Sequence, residues 1–108
     1  MQVTMQVFMK DKYSGSLRKR IADDIEAGKG KPLFLLKHQN PFRNPGWAKI
    51  ASRDHYGAIN FEWDGNHRML KVRVVTRQRS PTPILGAFAA YLLERYGRSI
   101  RVVNIQVG

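Results

Sequence analysis

The sequence predicts one α+β domain in which two main helices pack on one face of a mostly antiparallel sheet of about five strands. Its 108 residues suffice for one hydrophobic core, and 43% apolar with 25% charged residues is a globular composition. Strand-like and helix-like apolar patterns alternate along the chain without internal repeats. Residues 1–108 are therefore expected to form a single domain.

The first half of the chain predicts a strand, a helix and a second strand. Residues 3–9 alternate apolar and polar side chains with the period of a half-buried strand. Ser16 provides a helix N-cap, after which apolar residues recur every fourth position from Leu17 until Gly28 offers a stop. Residues 33–36 form a continuous apolar run, which is typical of a strand buried on both faces.

An irregular linker follows the second predicted strand. Residues 39–45 contain two prolines and two asparagines, a composition that interrupts regular structure. Asn44 and Pro45 are expected to start a short helix through Ile50, because proline favours the first helical position.

A hairpin is predicted between residues 57–63 and 68–76, which flank a turn sequence centred on Gly65. A two-residue turn places the apolar residues of both strands on one face of the sheet. A slip of one residue would instead place Ile59 and Phe61 of the first strand on the same face as Lys71 and Arg73 of the second. The two-residue turn is therefore expected.

The C-terminal part predicts a helix and a last strand. Thr82 and Pro83 supply an N-cap and a favourable first helical residue, and the helix is expected to end before Gly97. Residues 100–107 predict a strand with three inward-facing residues, Val103, Ile105 and Val107. The order β-α-β-(short α)-β-β-α-β resembles the split βαβ, ferredoxin-like plan, from which the extra hairpin strand and the Pro-rich insertion depart.

The chain is strongly basic, and the excess is uneven. Its 19 Lys and Arg residues against 8 Asp and Glu give a formal charge of +11, which attracts polyanions. Between Gly65 and Gly108 the only acidic residue is Glu94, which indicates a positive face. The alternative is a basic surface that has no ligand.

Other features exclude several classes of protein. The chain has no cysteine, so disulfides and thiolate chemistry are excluded. Its start lacks the continuous apolar run of a signal peptide, and no apolar stretch approaches the length of about 20 residues that spans a bilayer. We expect a cytoplasmic protein without membrane contact.

The second strand of the predicted hairpin carries a row of basic side chains. Leu70, Val72 and Val74 are expected in the core, so the residues between them face the other side of the sheet. The row, hereafter the basic stripe, comprises His67, Lys71, Arg73 and Arg77, with Arg79 continuing it into a loop. We expect the basic stripe to contact phosphates. The alternative is a solvated face that Glu62 partly balances.

The predicted first helix begins with an unfavourable order of charges. Arg18 and Lys19 stand at its N-terminus, which is the positive end of the helix dipole. An anion docked there, beside Ser16, would be attracted by the dipole, the free N–H groups and the basic side chains. The alternative is that these side chains extend into water or pair with acids one turn later, as Arg20 and Asp24 could.

Two aromatic residues are candidate stacking platforms for bases. Phe8 falls on the polar face of the first strand, and Tyr56 lies at the entry to the hairpin. Both are expected to be exposed.

Groups for acid–base or metal chemistry are present but form no specific motif. Glu62 and Asp64 share one strand face, and with Asp54 and Lys71 they could imitate the site of a metal-dependent nuclease. Short hairpins commonly carry such acids at their turns. We therefore expect a protein that is not an enzyme, and we assign no catalytic residue, metal or cofactor.

The predicted second helix has almost no polar side, so it needs burial on more than one face. Gly86, Ala90 and Leu93 could form a close contact with the same helix of a second copy. The alternative is that the first helix or the Pro-rich linker covers this surface within one chain.

The leading hypothesis from the sequence is a small basic module that binds nucleic acid or another polyanion. The alternatives are a structural or interaction subunit whose positive charge is incidental, and a small metal-dependent nuclease.

Overall fold

The computed structural model describes residues 2–39 and 46–108. Its strands are β1 (Val3–Met9), β2 (Leu33–Gln39), β3 (Trp47–Ser52), β4 (Ala58–Asp64), β5 (Met69–Val75) and β6 (Ile100–Val107). Its helices are α1 (Leu17–Glu26) and α2 (Thr82–Tyr96), and a short 3-10 turn (Gly97–Ser99) follows α2. Neither helix is long and apolar enough to cross a membrane.

The strands form one antiparallel sheet in the order β2-β3-β4-β5-β1-β6. Both helices pack on the same face of this sheet, so the predicted α+β class is confirmed. The expectation of about five strands is wrong, because the described part of the chain contains six. The expected order with a short third helix is also corrected, and the observed order is β-α-β-β-β-β-α-β.

The additional strand is β3, where a short helix through Ile50 was expected. Its buried residues Ala48 and Ile50 alternate with the half-exposed residues Trp47 and Lys49. This short segment pairs with β2 on one side and β4 on the other, and those backbone hydrogen bonds outweigh its weak local preference. Asn44 lies outside the described residues.

The core lies between the sheet and the helices. Alternate residues of β1, β4 and β5 point into it, with Val7, Ile59 and Leu70 each fully buried. Each such side chain contributes roughly 1.5–3 kcal/mol through removal of apolar surface from water. The helices supply further buried residues, chiefly Leu17, Ile21, Ile84, Phe88 and Leu92.

The hairpin turn between β4 and β5 is longer than expected. The last paired residues are Asp64 and Met69, so residues 65–68 form a four-residue loop rather than a two-residue turn. The Asp64 carboxylate stabilises this loop by accepting the backbone N–H groups of Asn66 and His67 at 3.1 and 3.3 Å. The observed register of the hairpin differs from the predicted one by an even number of residues. The apolar residues of both strands therefore still share one face of the sheet, as predicted.

A polar cluster joins the two helices. The Asp24 side chain on α1 accepts a short hydrogen bond from the Tyr96 hydroxyl and a second one, of 3.2 Å, from Arg95 Nη2. Burial opposes ionisation of Asp24, but these hydrogen bonds outweigh it and lower the pKa of the carboxyl. Burial and the bond to Asp24 both raise the pKa of Tyr96. This cluster therefore fixes α1 against the end of α2.

Much of the exposed apolar surface lies on α2 and β6. Gly86 and Ala90 are exposed, and Leu93 is 57% exposed, so α1 covers only part of α2. On β6, Val103, Ile105 and Val107 face the helix side of the sheet, as predicted, because they pair with core residues of β1. Val103 is partly buried there. Ile105 and Val107 are nevertheless 49% and 67% exposed, because they lie on an edge strand that the helices of the described structure do not fully cover.

Candidate nucleic-acid interface

The sheet face opposite the helices, hereafter the open face, carries two central rows of polar side chains. Antiparallel pairing sets residues of neighbouring strands side by side, so each row crosses the sheet. One row consists of Lys49, Asn60, Arg73, Thr4 and Gln106. The adjacent row consists of Glu62, Lys71, Gln6 and Asn104. The open face therefore carries amides, a hydroxyl, basic groups and one carboxylate.

Lys71 and Arg73 stand near the middle of the open face because of the alternation in β5. They are exposed, while Leu70, Val72 and Val74 between and beside them are at most 4% exposed. The structure thus places these two members of the basic stripe where the sequence pattern predicted. Lys71 is opposite Glu62, so one acid offsets part of their charge.

A groove of about 680 Å³ lies over these rows. Lys71 and Arg73 line it together with Thr4, Gln6, Asn60, Glu62 and Trp47. Its volume is within the range of sites that hold organic ligands. Trp47 was missed by the sequence analysis, because a strand had to be recognised there before its alternation could place Trp47 on the open face.

The remaining members of the basic stripe lie beyond the ends of β5. Arg77 and Arg79 belong to the loop that leads to α2, and Arg77 has a backbone φ of 55°. Thr76 closes this loop: its hydroxyl donates to the Arg79 carbonyl at 2.6 Å, and its carbonyl accepts the Arg79 N–H at 3.1 Å. The basic stripe is therefore bent away from a straight line after Val75.

His67 lies in the hairpin loop rather than on a strand. Its Nδ1 is 2.8 Å from Oδ2 of Asp64, and the hydrogen bond from His67 holds the pKa of that carboxyl below its ordinary value. Any positive charge on His67 is thus paired with an adjacent negative charge. His67 adds less to the attraction of a polyanion than Lys71 or Arg73 does.

Each candidate stacking residue lies beside an arginine. The Arg79 guanidinium lies 4.7 Å from the ring centre of Tyr56, which is 51% exposed. The Arg101 guanidinium lies 5.9 Å from the ring centre of Phe8, which is half-buried rather than fully exposed. Such pairs place a positive charge next to a flat apolar surface, as binding of unpaired bases requires. The alternation of β6 did not reveal Arg101, because a register irregularity follows Phe8.

The three residues predicted to bind an anion at the start of α1 have separate environments. The Ser16 hydroxyl accepts the Lys19 N–H at 3.2 Å and caps the helix. The Lys19 ammonium is 2.8 Å from Asp23, one turn later. Arg18 is 1% exposed, and its burial lowers the pKa of its guanidinium. The Lys19–Asp23 pair fits the alternative in which basic side chains pair with acids one turn later, but the burial of Arg18 does not. Asp24, which could have paired with Arg20, instead accepts hydrogen bonds from Tyr96 and Arg95.

The positive charge is concentrated outside the helix layer. The two helices contain four basic and four acidic residues, so their formal charges balance. The whole excess of +11 therefore comes from the rest of the chain. On the two central rows of the open face, three basic residues, Lys49, Lys71 and Arg73, stand against one acid, Glu62.

The described residues contain no group of three or more His, Asp or Glu side chains that could hold a metal ion. Asp64, one of the acids considered for a nuclease site, instead stabilises the hairpin loop.

No protein-family model, curated protein or solved structure matches this chain.

Proposed function

We propose that this protein is a small binding module for nucleic acid or another polyanion, and that the ligand lies across the open face. The observation that carries the proposal is the exposure of Lys71 and Arg73 on a central strand, where they line a groove on the side of the sheet opposite a helix layer without net charge. Each cation that contacts a phosphate releases condensed counterions, and this release favours binding.

Several features of the open face favour a single-stranded ligand. Base edges and sugars can pair with the Thr4, Gln6 and Asn60 side chains, which line the groove beside the two cations. Trp47 lies in the same groove and offers a flat ring for an unstacked base. An uncovered sheet with aromatic side chains is also the surface that sheet-based RNA-binding modules use.

The second candidate function is an interaction subunit whose positive charge is incidental. The exposed apolar residues Val102, Ile105 and Val107 on edge strand β6 favour it, because an unpaired edge is a template for another strand. Polyanion binding discriminates between the two functions, since an interaction subunit has no need of Lys71 and Arg73.

The proposal is tested by the salt dependence of binding to a single-stranded oligonucleotide. Replacement of both Lys71 and Arg73 by Gln removes two phosphate contacts. Log affinity falls as log salt concentration rises, and each lost contact makes this slope shallower by about 0.7. The double variant should therefore have a slope that is shallower by up to about 1.4. Fluorescence anisotropy at several salt concentrations measures this slope.

The matched control is the variant with Lys29→Gln and Lys31→Gln. It removes the same charge from two exposed residues on the helix side of the sheet. They flank Gly30, which packs against Ile25 and Tyr91 of the helices. Its slope should stay close to that of the parent protein. Equal slopes for both variants would show that only net charge matters and would refute a site on the open face.

A further inference from the structure

A second basic cavity lies at the end of the sheet where β1 leaves it. It has a volume of about 520 Å³ and is bounded by the segment after β1, by α1 and by the 3-10 turn. The residues that line it include four basic residues and two serines: Lys10, Lys12, Arg20, Arg98, Ser14 and Ser99. We call this cavity the basic pocket.

Backbone hydrogen bonds hold the walls of the basic pocket in place. The Lys10 N–H donates to the Ser99 carbonyl at 2.8 Å, and the Tyr13 N–H donates to the Lys10 carbonyl at 3.0 Å. The Tyr13 ring packs edge-on against Trp63, whose side chain is in the core. These contacts hold the segment after β1 against the 3-10 turn and the core before any ligand binds, which lowers the entropy cost of binding.

The charges of the basic pocket are poorly balanced by its own wall. The acidic residue on the wall is Asp11, whose side chain is 90% exposed and lies 3.8 Å from Arg68, outside the pocket. Four basic residues that line one cavity repel one another, and a dianion bound among them would replace this repulsion by attraction. Guanidinium and hydroxyl groups also supply the hydrogen-bond donors that phosphate oxygens accept.

We propose that the basic pocket binds the phosphate group of a phosphomonoester. The volume exceeds what a free phosphate needs and is within the range of pockets for small organic ligands, so part of the attached molecule fits as well. The pocket is separate from the central rows of the open face, so this site does not depend on the function proposed for that face.

The probes are adenosine monophosphate and adenosine, which differ in one phosphate group. Calorimetric titration at constant ionic strength measures affinity, and backbone amide shifts in NMR spectra report where each probe binds. We expect adenosine monophosphate to bind at least about tenfold more tightly than adenosine. The largest shifts should occur at Ser14 and Ser99.

Two variants that are matched in residue type, spacing and charge locate the site. Lys10→Gln with Lys12→Gln removes two exposed cations from the basic pocket, and should weaken binding of adenosine monophosphate about tenfold or more. Lys29→Gln with Lys31→Gln should change it by less than about twofold. The variant at Lys71 and Arg73 should retain this affinity, which separates the basic pocket from the function of the open face.

Oligonucleotides with and without a terminal phosphate distinguish the sources of the phosphate. If the source is a nucleic-acid end, the terminal phosphate strengthens binding to the parent protein and not to the Lys10 and Lys12 variant. If the source is a small molecule, the end group has no effect while adenosine monophosphate still binds. Equal affinity of the parent protein for adenosine and adenosine monophosphate would overturn the proposal. So would an equal loss of affinity for adenosine monophosphate in the Lys10 and Lys12 variant and in the Lys29 and Lys31 variant.

Discussion

The Asp24→Asn substitution tests how strongly the polar cluster between the helices stabilises the fold. The Asp24 side chain is 18% exposed and accepts hydrogen bonds from Tyr96 and Arg95. A hydrogen bond to a charged group stabilises a protein by roughly 1.5–3 kcal/mol, and a partly exposed ion pair adds roughly 0.2–1 kcal/mol. Asparagine keeps one acceptor oxygen but loses the charge, so we expect the free energy of unfolding at neutral pH to fall by about 1–2 kcal/mol.

The pH dependence of this loss follows from the pKa of Asp24. That pKa is lower in the folded protein than its unfolded value of about 3.9. The contribution of the carboxylate is therefore fully present above the unfolded pKa and is lost as pH falls through the folded one. The parent protein and the variant should approach equal stability in acid.

Urea unfolding at neutral and acidic pH, followed by circular dichroism, measures both effects. Asp23→Asn is the matched control, because Asp23 is the neighbouring residue, is 52% exposed and pairs along the helix surface with Lys19. Its substitution should cost less than about 0.5 kcal/mol. Similar losses for the two variants, or a loss at Asp24 that does not change with pH, would refute this account of the cluster.

Two further predictions concern glycine and self-association. Gly57→Ala should lower stability by about 2–4 kcal/mol, because Gly57 has a φ of 117° and an added Cβ would lie 2.6 Å from Thr76 Cγ2. Gly86→Ala in α2 should not lower stability, because an added Cβ there would have no neighbouring atom within 4 Å. Thermal unfolding measures both variants, and an equal loss of stability in the two would contradict the steric explanation. Light scattering should show a homodimer through α2 that Ala90→Glu converts to a folded monomer, whereas a persistent monomeric mass of the parent protein would exclude the dimer.

Much of the fold was predictable because local patterns agree with the final structure. The period-two alternation of β1 and the spacing of apolar residues in α1 each reflect one buried face. The predicted bounds of β6 agree with the observed strand, and the predicted end of α2 before Gly97 agrees with the observed helix. β3 was not predictable in this way, because its short segment becomes a strand through hydrogen bonds to β2 and β4.

The candidate interface was predictable to a smaller extent. Alternation in β5 suffices to put Lys71 and Arg73 on the face opposite the core, whatever the exact register of the hairpin. The contact of Arg79 with Tyr56 depends on the path of a loop, and that of Arg101 with Phe8 depends on a register irregularity. Neither leaves a periodic signal in the sequence.

The sequence by itself determined the net charge of the protein, the alternation of its strands and the position of both helices, because these depend on composition and on neighbours a few residues away. Only the tertiary structure decided that β3 joins the sheet, that both helices pack on one sheet face and that Lys10, Lys12, Arg20 and Arg98 share a pocket. These features depend on contacts between residues far apart in the chain, whose free energy appears only when the whole core forms.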